Sequence, residues 1–190
     1  FDIVISCLAL ILLAPGFLVI AILIKREGPG PVLYRGPRVG RNGKVFGILK
    51  FRTMYERLES YQGSRLTAKD DPRITPLGHW LRNTKINELP QLWNVLIGDM
   101  SLVGPRPEVL SEVAGYSEEQ RRVLELRPGI TDWASLWNVD EGAVLAGAEN
   151  PHQVYKERIQ PTKLALQLKY YRENSLWVDL RILVYTVIRI

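Results

Sequence analysis

The spacing of apolar positions changes along this chain, and each change predicts a different element. Ile3–Ile24 is apolar without a period, interrupted only by Ser6, Pro15 and Gly16. About 22 such residues suit a membrane segment. Pro15-Gly16 at its middle predicts a strong kink. Each half then has about 10–12 residues, roughly 15–18 Å of helix, or half a bilayer core. A straight span and a helix that dips in and returns to the same face both fit, and length favours the span. Lys25 and Arg26 mark the following region as cytoplasmic in either case. A cleaved signal peptide fits poorly. No cation precedes the run, and Lys25-Arg26-Glu27 stands where a small-residue cleavage site belongs.

After the EGPGP turn (Glu27–Pro31), Val32–Tyr34 and Val45–Leu49 read as two short strands, with Asn42-Gly43 as their hairpin signal. The connection carries Arg35, Arg38, Arg41 and Lys44. Met54–Ala68 is polar and weakly patterned, a helix fading into loop, and Asp70–Arg73 is a turn. Thr75 caps a short helix that begins at Pro76 and carries Arg82. Asn87 reads as the N-cap of the next helix, with Glu88 and Pro90 in its first turn. Its apolar face is Leu89, Leu92, Trp93, Val95 and Leu96, and Gly98 ends it.

Ser101–Pro107 is extended. Ser117 caps a helix with Glu118 and Glu119 in its first turn, and Pro128-Gly129 closes it. Thr131–Val139 is aromatic and irregular, and Asp140–Gly147 is one or two helical turns. Asn150-Pro151 starts a short helix that stops before Pro161. Thr162–Ile190 is helical with a break at Asn174-Ser175. From Leu176 on it suits a helix lying in the membrane interface or docked on the domain. The fold class is therefore mainly α with a small antiparallel β-hairpin (α+β).

Charge and composition narrow the chemistry. The net charge of +5 and pI near 9.4 favour an anionic partner: nucleotide, nucleic acid or acidic membrane surface. Cys7 is the one cysteine, so no internal disulfide forms. The chain begins at Phe1, not Met, which points to upstream residues. No Walker A loop, dinucleotide-binding GxGxxG or GxSxG elbow occurs, and His79 and His152 lack zinc spacing with the cysteine. Carboxylates among cations remain: Glu88, Asp99 and Glu108 with Lys50, Arg82 and Arg106. Carboxylates and bound phosphate together hold Mg²⁺, and arginine forks neutralise phosphate oxygens. The pattern points to phosphoryl transfer at a membrane surface, with ordinary surface ion pairs as the competing reading.

Five ordered blocks carry a resemblance. They are GPGPVLYRGPRVGRNGK (Gly28–Lys44), KFRTM (Lys50–Met54), DDPRITPLGHWLR (Asp70–Arg82), NELPQLWNVLIGDMSLVGPRPE (Asn87–Glu108) and RPGITDWASL (Arg127–Leu136). With them the chain resembles the bacterial sugar transferase family, the small monotopic phosphoglycosyl transferases, nearly end to end. The resemblance implies transfer of a sugar-1-phosphate from a UDP-sugar to polyprenyl (undecaprenyl) phosphate with release of UMP. That would be the first membrane step of exopolysaccharide or other glycoconjugate assembly. It implies residues 1–24 as a re-entrant membrane helix-break-helix around Pro15, and residues 25–190 as a catalytic domain. Both would sit on the cytoplasmic face of the bacterial inner membrane. Membrane lipid is then a partner, nucleic acid is not, and a homodimer is in keeping with the family.

The family's catalytic pair is Asp-Glu before Leu-Pro-Gln, and here those positions are Asn87 and Glu88. The resemblance makes Glu88 the Mg²⁺ residue. It puts Lys50, Arg52, Arg82 and Arg106 on phosphate- and nucleotide-binding positions, with Asp99 and Glu108 in support. In the family the Asp attacks the nucleotide sugar and carries the sugar-phosphate covalently. An amide is a far poorer nucleophile. Asn87 therefore implies one of three cases: an engineered or divergent inactivating change, a branch that transfers directly or uses Glu88 itself as nucleophile, or Asp formed by deamidation. A working enzyme is the favoured expectation. A silent member acting as an assembly platform, or a module binding anionic lipid, are the rivals.

Overall fold

The computed structural model describes residues 1–57, 67, 71–138 and 140–189. It is mainly helical. The helices are α1 (Asp2–Arg26), α2 (Pro76–Asn83), α3 (Gln91–Leu96), α4 (Leu110–Val113), α5 (Glu118–Arg121), α6 (Trp133–Trp137), α7 (Glu141–Leu145), α8 (Pro151–Val154), α9 (Gln160–Glu173) and α10 (Leu176–Arg189). The strands are β1 (Leu33–Val39), β2 (Val45–Phe51), β3 (Ser101–Val103) and β4 (Gly129–Thr131).

Helix α1 runs unbroken through Pro15. The expected division into two helices is thus not an interruption of secondary structure. Proline removes one N–H donor but has a helical φ, so both flanks stay helical. At about 1.5 Å per residue, this helix is roughly 37 Å long. Both ends touch the rest of the protein. Near the start, the Ser101 hydroxyl donates to Asp2 Oδ2 at 2.7 Å. At the far end, Arg52 donates to the carbonyls of Ile24, Gly28 and Pro29, and Glu27 Oε1 accepts the Leu77 N–H. Between them, Ala9, Leu10 and Leu13 pack on the main core, while Phe17 meets Phe51 edge-on at 5.2 Å. The opposite side of α1 stays bare and apolar, with Leu12 79% exposed.

The hairpin forms as its turn signal predicts. Asn42 (φ 56°) and Gly43 (φ 79°) both take the left-handed conformation that this dipeptide tolerates. Strand β1 extends further than the apolar pattern suggests, pairing antiparallel with β2 from Leu33↔Phe51 to Val39↔Val45. Pro37 is accommodated because β1 is an edge strand. Phe46 and Ile48 point to the core, which also takes Leu92 and Val95 of α3, Met100, Leu102, Leu136, Tyr170 and Ile182. Helix α10 docks through Ile182 and leaves Trp177, Val187 and Ile188 exposed.

Several local expectations change. Met54 forms an isolated bridge with Ile74 rather than starting a helix, and most of the segment to Ala68 lies outside the described residues, as does Asp70. The helix after Asn150 does not stop before Pro161. A π-turn over Tyr155–Ile159 leads into α9, and Pro161 occupies its first turn, where a missing N–H is harmless. The Thr75 and Ser117 caps form, the latter as a full capping box with Gln120.

A second sheet, absent from the apolar pattern, pairs β3 with β4 in parallel. Two glycines permit it. A Cβ on Gly104 would lie 2.3 Å from the Arg127 carbonyl oxygen, and one on Gly129 would lie 2.1 Å from the Gly104 nitrogen. The Gly-Pro-Arg-Pro and Arg-Pro-Gly turns therefore cross backbone to backbone. We expect Gly129→Ala to cost about 1–3 kcal/mol of stability through overpacking. Thermal unfolding in detergent should show the lowered melting temperature, and an unchanged one would refute the crossing.

Candidate active site

The site is assembled where three segments meet. Side chains alternate faces along a strand. Lys50 therefore follows Phe46 and Ile48 on the core side of β2, and its ammonium is carried inward. Asn94 of α3 holds that strand: its Oδ1 accepts the Leu49 N–H and its Nδ2 donates to the Gly47 carbonyl, both at 2.9 Å. A short 3₁₀ turn, Ile86–Glu88, precedes α3. Lys85 at its head is left-handed (φ 57°), and the Glu88 N–H donates back to the Lys85 carbonyl at 3.0 Å. Arg106 arrives from the turn after β3, its backbone N–H donating to Asp132 Oδ2 at 3.3 Å.

The three side chains converge on one carboxylate. Glu88 Oε1 accepts from Lys50 Nζ at 2.7 Å and from Arg106 Nη2 at 2.6 Å, while Oε2 accepts from Arg106 Nη1 at 2.9 Å. The Arg106 contact is a two-pronged fork, the strong geometry for a guanidinium and a carboxylate. Burial alone would raise the Glu88 carboxyl, but Arg106 and Lys50 outweigh it and hold it well below the usual range. Burial, with Arg106 and Arg38 adding repulsion, lowers Lys50 to about 8 against the pull of Glu88. Below about pH 8 the whole cluster is therefore charged, and above it the ammonium is lost.

Arg82 borders this cluster. Its Nε donates to Thr53 Oγ1 at 2.9 Å, and the charges of Asp71 and Glu88 act on it. Asn87 is buried at 8% exposure, and its Oδ1 has no hydrogen-bond partner. The N-cap expected there does not form. Asn87 lies inside the 3₁₀ turn, and α3 begins only after Pro90, with no capping side chain. Proline supplies the helical φ without an N–H to satisfy, so the start needs no Asn cap.

The other predicted site residues are placed elsewhere. Arg52 spends its donors on the carbonyls at the end of α1 and is 8% exposed. Glu108 accepts from Tyr155 at 2.9 Å and from Lys163, and these, with the charge of Arg106, outweigh burial and lower its carboxyl. Asp99 follows Gly98, whose left-handed φ of 86° ends α3, and its backbone N–H donates to the Asn94 carbonyl.

Three polar residues of the site escape the sequence pattern. Asn94 sits at a helix position that reads as polar and exposed. Gln91 is fully enclosed, and neither of its amide atoms has a partner. Asp132 is fully buried, caps α6 through the Ser135 N–H at 2.7 Å, and accepts from Gln167 at 3.1 Å. Its signal was an Asp directly before the apolar stretch WASLW.

Comparison with known proteins places this arrangement. The family model described as bacterial sugar transferase matches residues 1–190. The chain is 38% identical over 195 residues to the undecaprenyl-phosphate glucose phosphotransferase of Komagataeibacter xylinus, covering 100% of this chain and 35% of that protein. It is 35% identical to the UDP-glucose:undecaprenyl-phosphate glucose-1-phosphate transferase of Escherichia coli K12, covering 99% of this chain and 39% of the relative. It is 40% identical to the exopolysaccharide production protein PSS of Rhizobium leguminosarum bv. phaseoli, covering 99% and 92%. The chain thus spans well under half the length of the first two relatives and nearly all of the third. Matched along its whole length, with its Asn-Glu turn and Gly-Pro-Arg-Pro turn joined at Glu88, the chain belongs to the bacterial sugar transferase family.

Proposed function

We propose that this chain transfers a sugar-1-phosphate from a UDP-sugar to polyprenyl phosphate, releasing UMP, as the first membrane step of glycan assembly. The observation that carries this is the Glu88 carboxylate held between Lys50 and Arg106, with Arg82 alongside. Three cations gathered around one part-buried carboxylate form a preorganised receptor for phosphate oxygens. The names of the relatives, which specify undecaprenyl phosphate and glucose phosphate, support the acceptor and the donor class.

In this reading Arg106 and Lys50 bind the diphosphate of the donor, and Glu88 keeps both cations charged and aimed. Arg82, fixed on Thr53, supports the same anion. Arg52 acts at a distance by fixing the end of α1.

The fit to Mg²⁺ is conditional. Among the described residues no three Asp, Glu, His or Cys side chains gather to hold a metal. Glu88 is ionised, however, and the partnerless Asn87 Oδ1 beside it is a second hard oxygen. That set suits Mg²⁺ when substrate phosphates supply most of the ligands. Glu88 would hold the ion, which would offset charge gathering on the phosphates.

We place the protein on the cytoplasmic face of the bacterial inner membrane, with α1 entering and leaving on that face. The support is that both ends of α1 bond to the same body, whereas a straight span separates its ends by about 30 Å of hydrocarbon. The bare apolar sides of α1 and α10 then meet lipid.

Two measurements test this. In nanodiscs with undecaprenyl phosphate, Glu88→Gln and Arg106→Gln should each lower kcat/KM for UMP release about 10²–10³-fold. Arg52→Gln should chiefly lower the melting temperature. Equal rates in all three variants would exclude Glu88 as the centre. In cells, a membrane-impermeant thiol reagent added from the periplasm should reach cysteines placed at neither Asp2 nor Glu27. Labelling at Asp2 would establish a span instead.

A further inference from the structure

Tyr34 is the aromatic side chain that the hairpin register sets beside the anion site. It stands directly opposite Lys50. Residues paired this way point to the same face of the sheet, about 5 Å apart. Tyr34 therefore shares the face from which Lys50 reaches Glu88 at 2.7 Å. Side chains in strands usually stand away from the sheet. Tyr34 instead lies along β1: a Cβ on Gly36 would fall 2.6 Å from its hydroxyl oxygen and 2.7 Å from its Cε1. Gly36 has no left-handed φ that requires glycine, and a glycine inside a strand costs stability. What it supplies is the room in which the tyrosine lies, and interior glycines mark such close approaches. The tyrosine is nevertheless 45% exposed. Among the described residues its hydroxyl makes no hydrogen bond and its ring meets no other aromatic ring or cation.

The other exposed aromatics on the elements of the site are turned elsewhere. Trp80 is two residues from Arg82 on α2, and residues two apart in a helix do not face each other. Trp93 shares its side of α3 with the exposed Ile97, four residues on, an apolar pair suited to lipid.

We infer that Tyr34 is the platform on which the pyrimidine ring of the donor nucleotide stacks, with Gly36 keeping the space that lets it lie along the strand. The inference rests on the transfer reading above, which puts the donor diphosphate on Lys50 and Arg106. In a nucleoside diphosphate the base is one ribose away from its phosphates, and Tyr34 is one strand away from Lys50. An aromatic ring stacks any base by its π-face. An isoprenoid tail suits this place less. Arg38 follows Gly36 on the same face and is bonded only to the Pro37 carbonyl among the described residues. An apolar chain laid there would strip water from an uncompensated guanidinium. A nucleoside brings carbonyl and hydroxyl oxygens to the same group.

The test measures binding of UDP and of inorganic pyrophosphate, each with Mg²⁺, to the full chain in nanodiscs. Tyr34→Ala should raise the Kd for UDP about 5–150-fold, the loss of one stacked base, and leave the Kd for pyrophosphate unchanged. Tyr34→Phe should restore the wild-type affinity for UDP. Gly36→Ala, whose methyl takes the space of the tyrosine, should weaken UDP and spare pyrophosphate. Arg106→Gln should weaken both ligands. Where Tyr34→Ala does not fold, Tyr34→Leu takes its place, because leucine still covers Gly36 but has no π-face. The same selective loss of UDP is expected. A UDP affinity equal in the wild type and in the Ala or Leu variant overturns the inference and leaves Tyr34 as an interfacial aromatic. An equal loss for UDP and pyrophosphate overturns it too, because the site itself is then distorted. Either result leaves the transfer reading standing. A wild type that binds no UDP, and releases no UMP from any UDP-sugar given undecaprenyl phosphate, overturns the transfer reading, and the inference falls with it.

Discussion

A carboxylate largely withdrawn from water stays ionised through close cations or hydrogen-bond donors, and at Glu88 this protein supplies both from the same two side chains. Its two oxygens take three bonds, from a strand residue and from an arginine in a distant turn. The pairing is mutual. Without Glu88, Lys50 and Arg106 would face each other across a poorly solvated gap, and the repulsion already contributes to the lowered pKa of Lys50. Removing one partner of such a buried set costs far more than an exposed ion pair is worth. The cluster therefore links β2, the 3₁₀ turn and the turn after β3 into one unit. The same arrangement leaves the cations poised for an anionic ligand.

The backbone around it is organised to deliver those three side chains. Asn94 supplies to β2 the hydrogen bonds that a neighbouring strand would otherwise make. Gly104 and Gly129 let two turns cross in contact, which brings Arg106 to Glu88. Asp132 then fixes the backbone at Arg106 from below. Helix α1 belongs to the same body: Arg52 and Glu27 close its far end and Ser101 its near end. The residues that read from sequence as one basic site thus divide between two tasks. Lys50 and Arg106 bond to Glu88 with Arg82 alongside, and in the proposed reading these three serve the anion; Arg52 instead bonds to the carbonyls at the end of the apolar helix.

Local chemistry made much of this legible. The Asn42-Gly43 turn, the Thr75 and Ser117 caps, and the stop at Gly98 each depend on neighbours in sequence, and each forms. Glu88, Lys50 and Arg106, singled out from their motifs, are also brought into contact. Contacts distant in sequence were not legible. The β3–β4 pairing rests on two glycines whose role appears only when the strands meet. Pro161 reads as a helix end unless a π-turn precedes it. Asn87 reads as a cap because Asn is a good one, yet Pro90 sets the helix start instead. That last difference separates architecture from chemistry at this position. Asn87 does not cap α3, so its amide is not what sets the start of that helix.

The site depends on the charge state of the Lys50–Glu88–Arg106 cluster, and Lys50 reports it. Side-chain ¹⁵N NMR of lysine-labelled protein in nanodiscs, titrated with pH, reads that group directly. A value of about 8 is predicted for Lys50, falling further in Glu88→Gln because the one attractive partner is lost while burial and Arg106 remain. An ordinary lysine value of about 10.4 in both proteins would contradict the buried cluster.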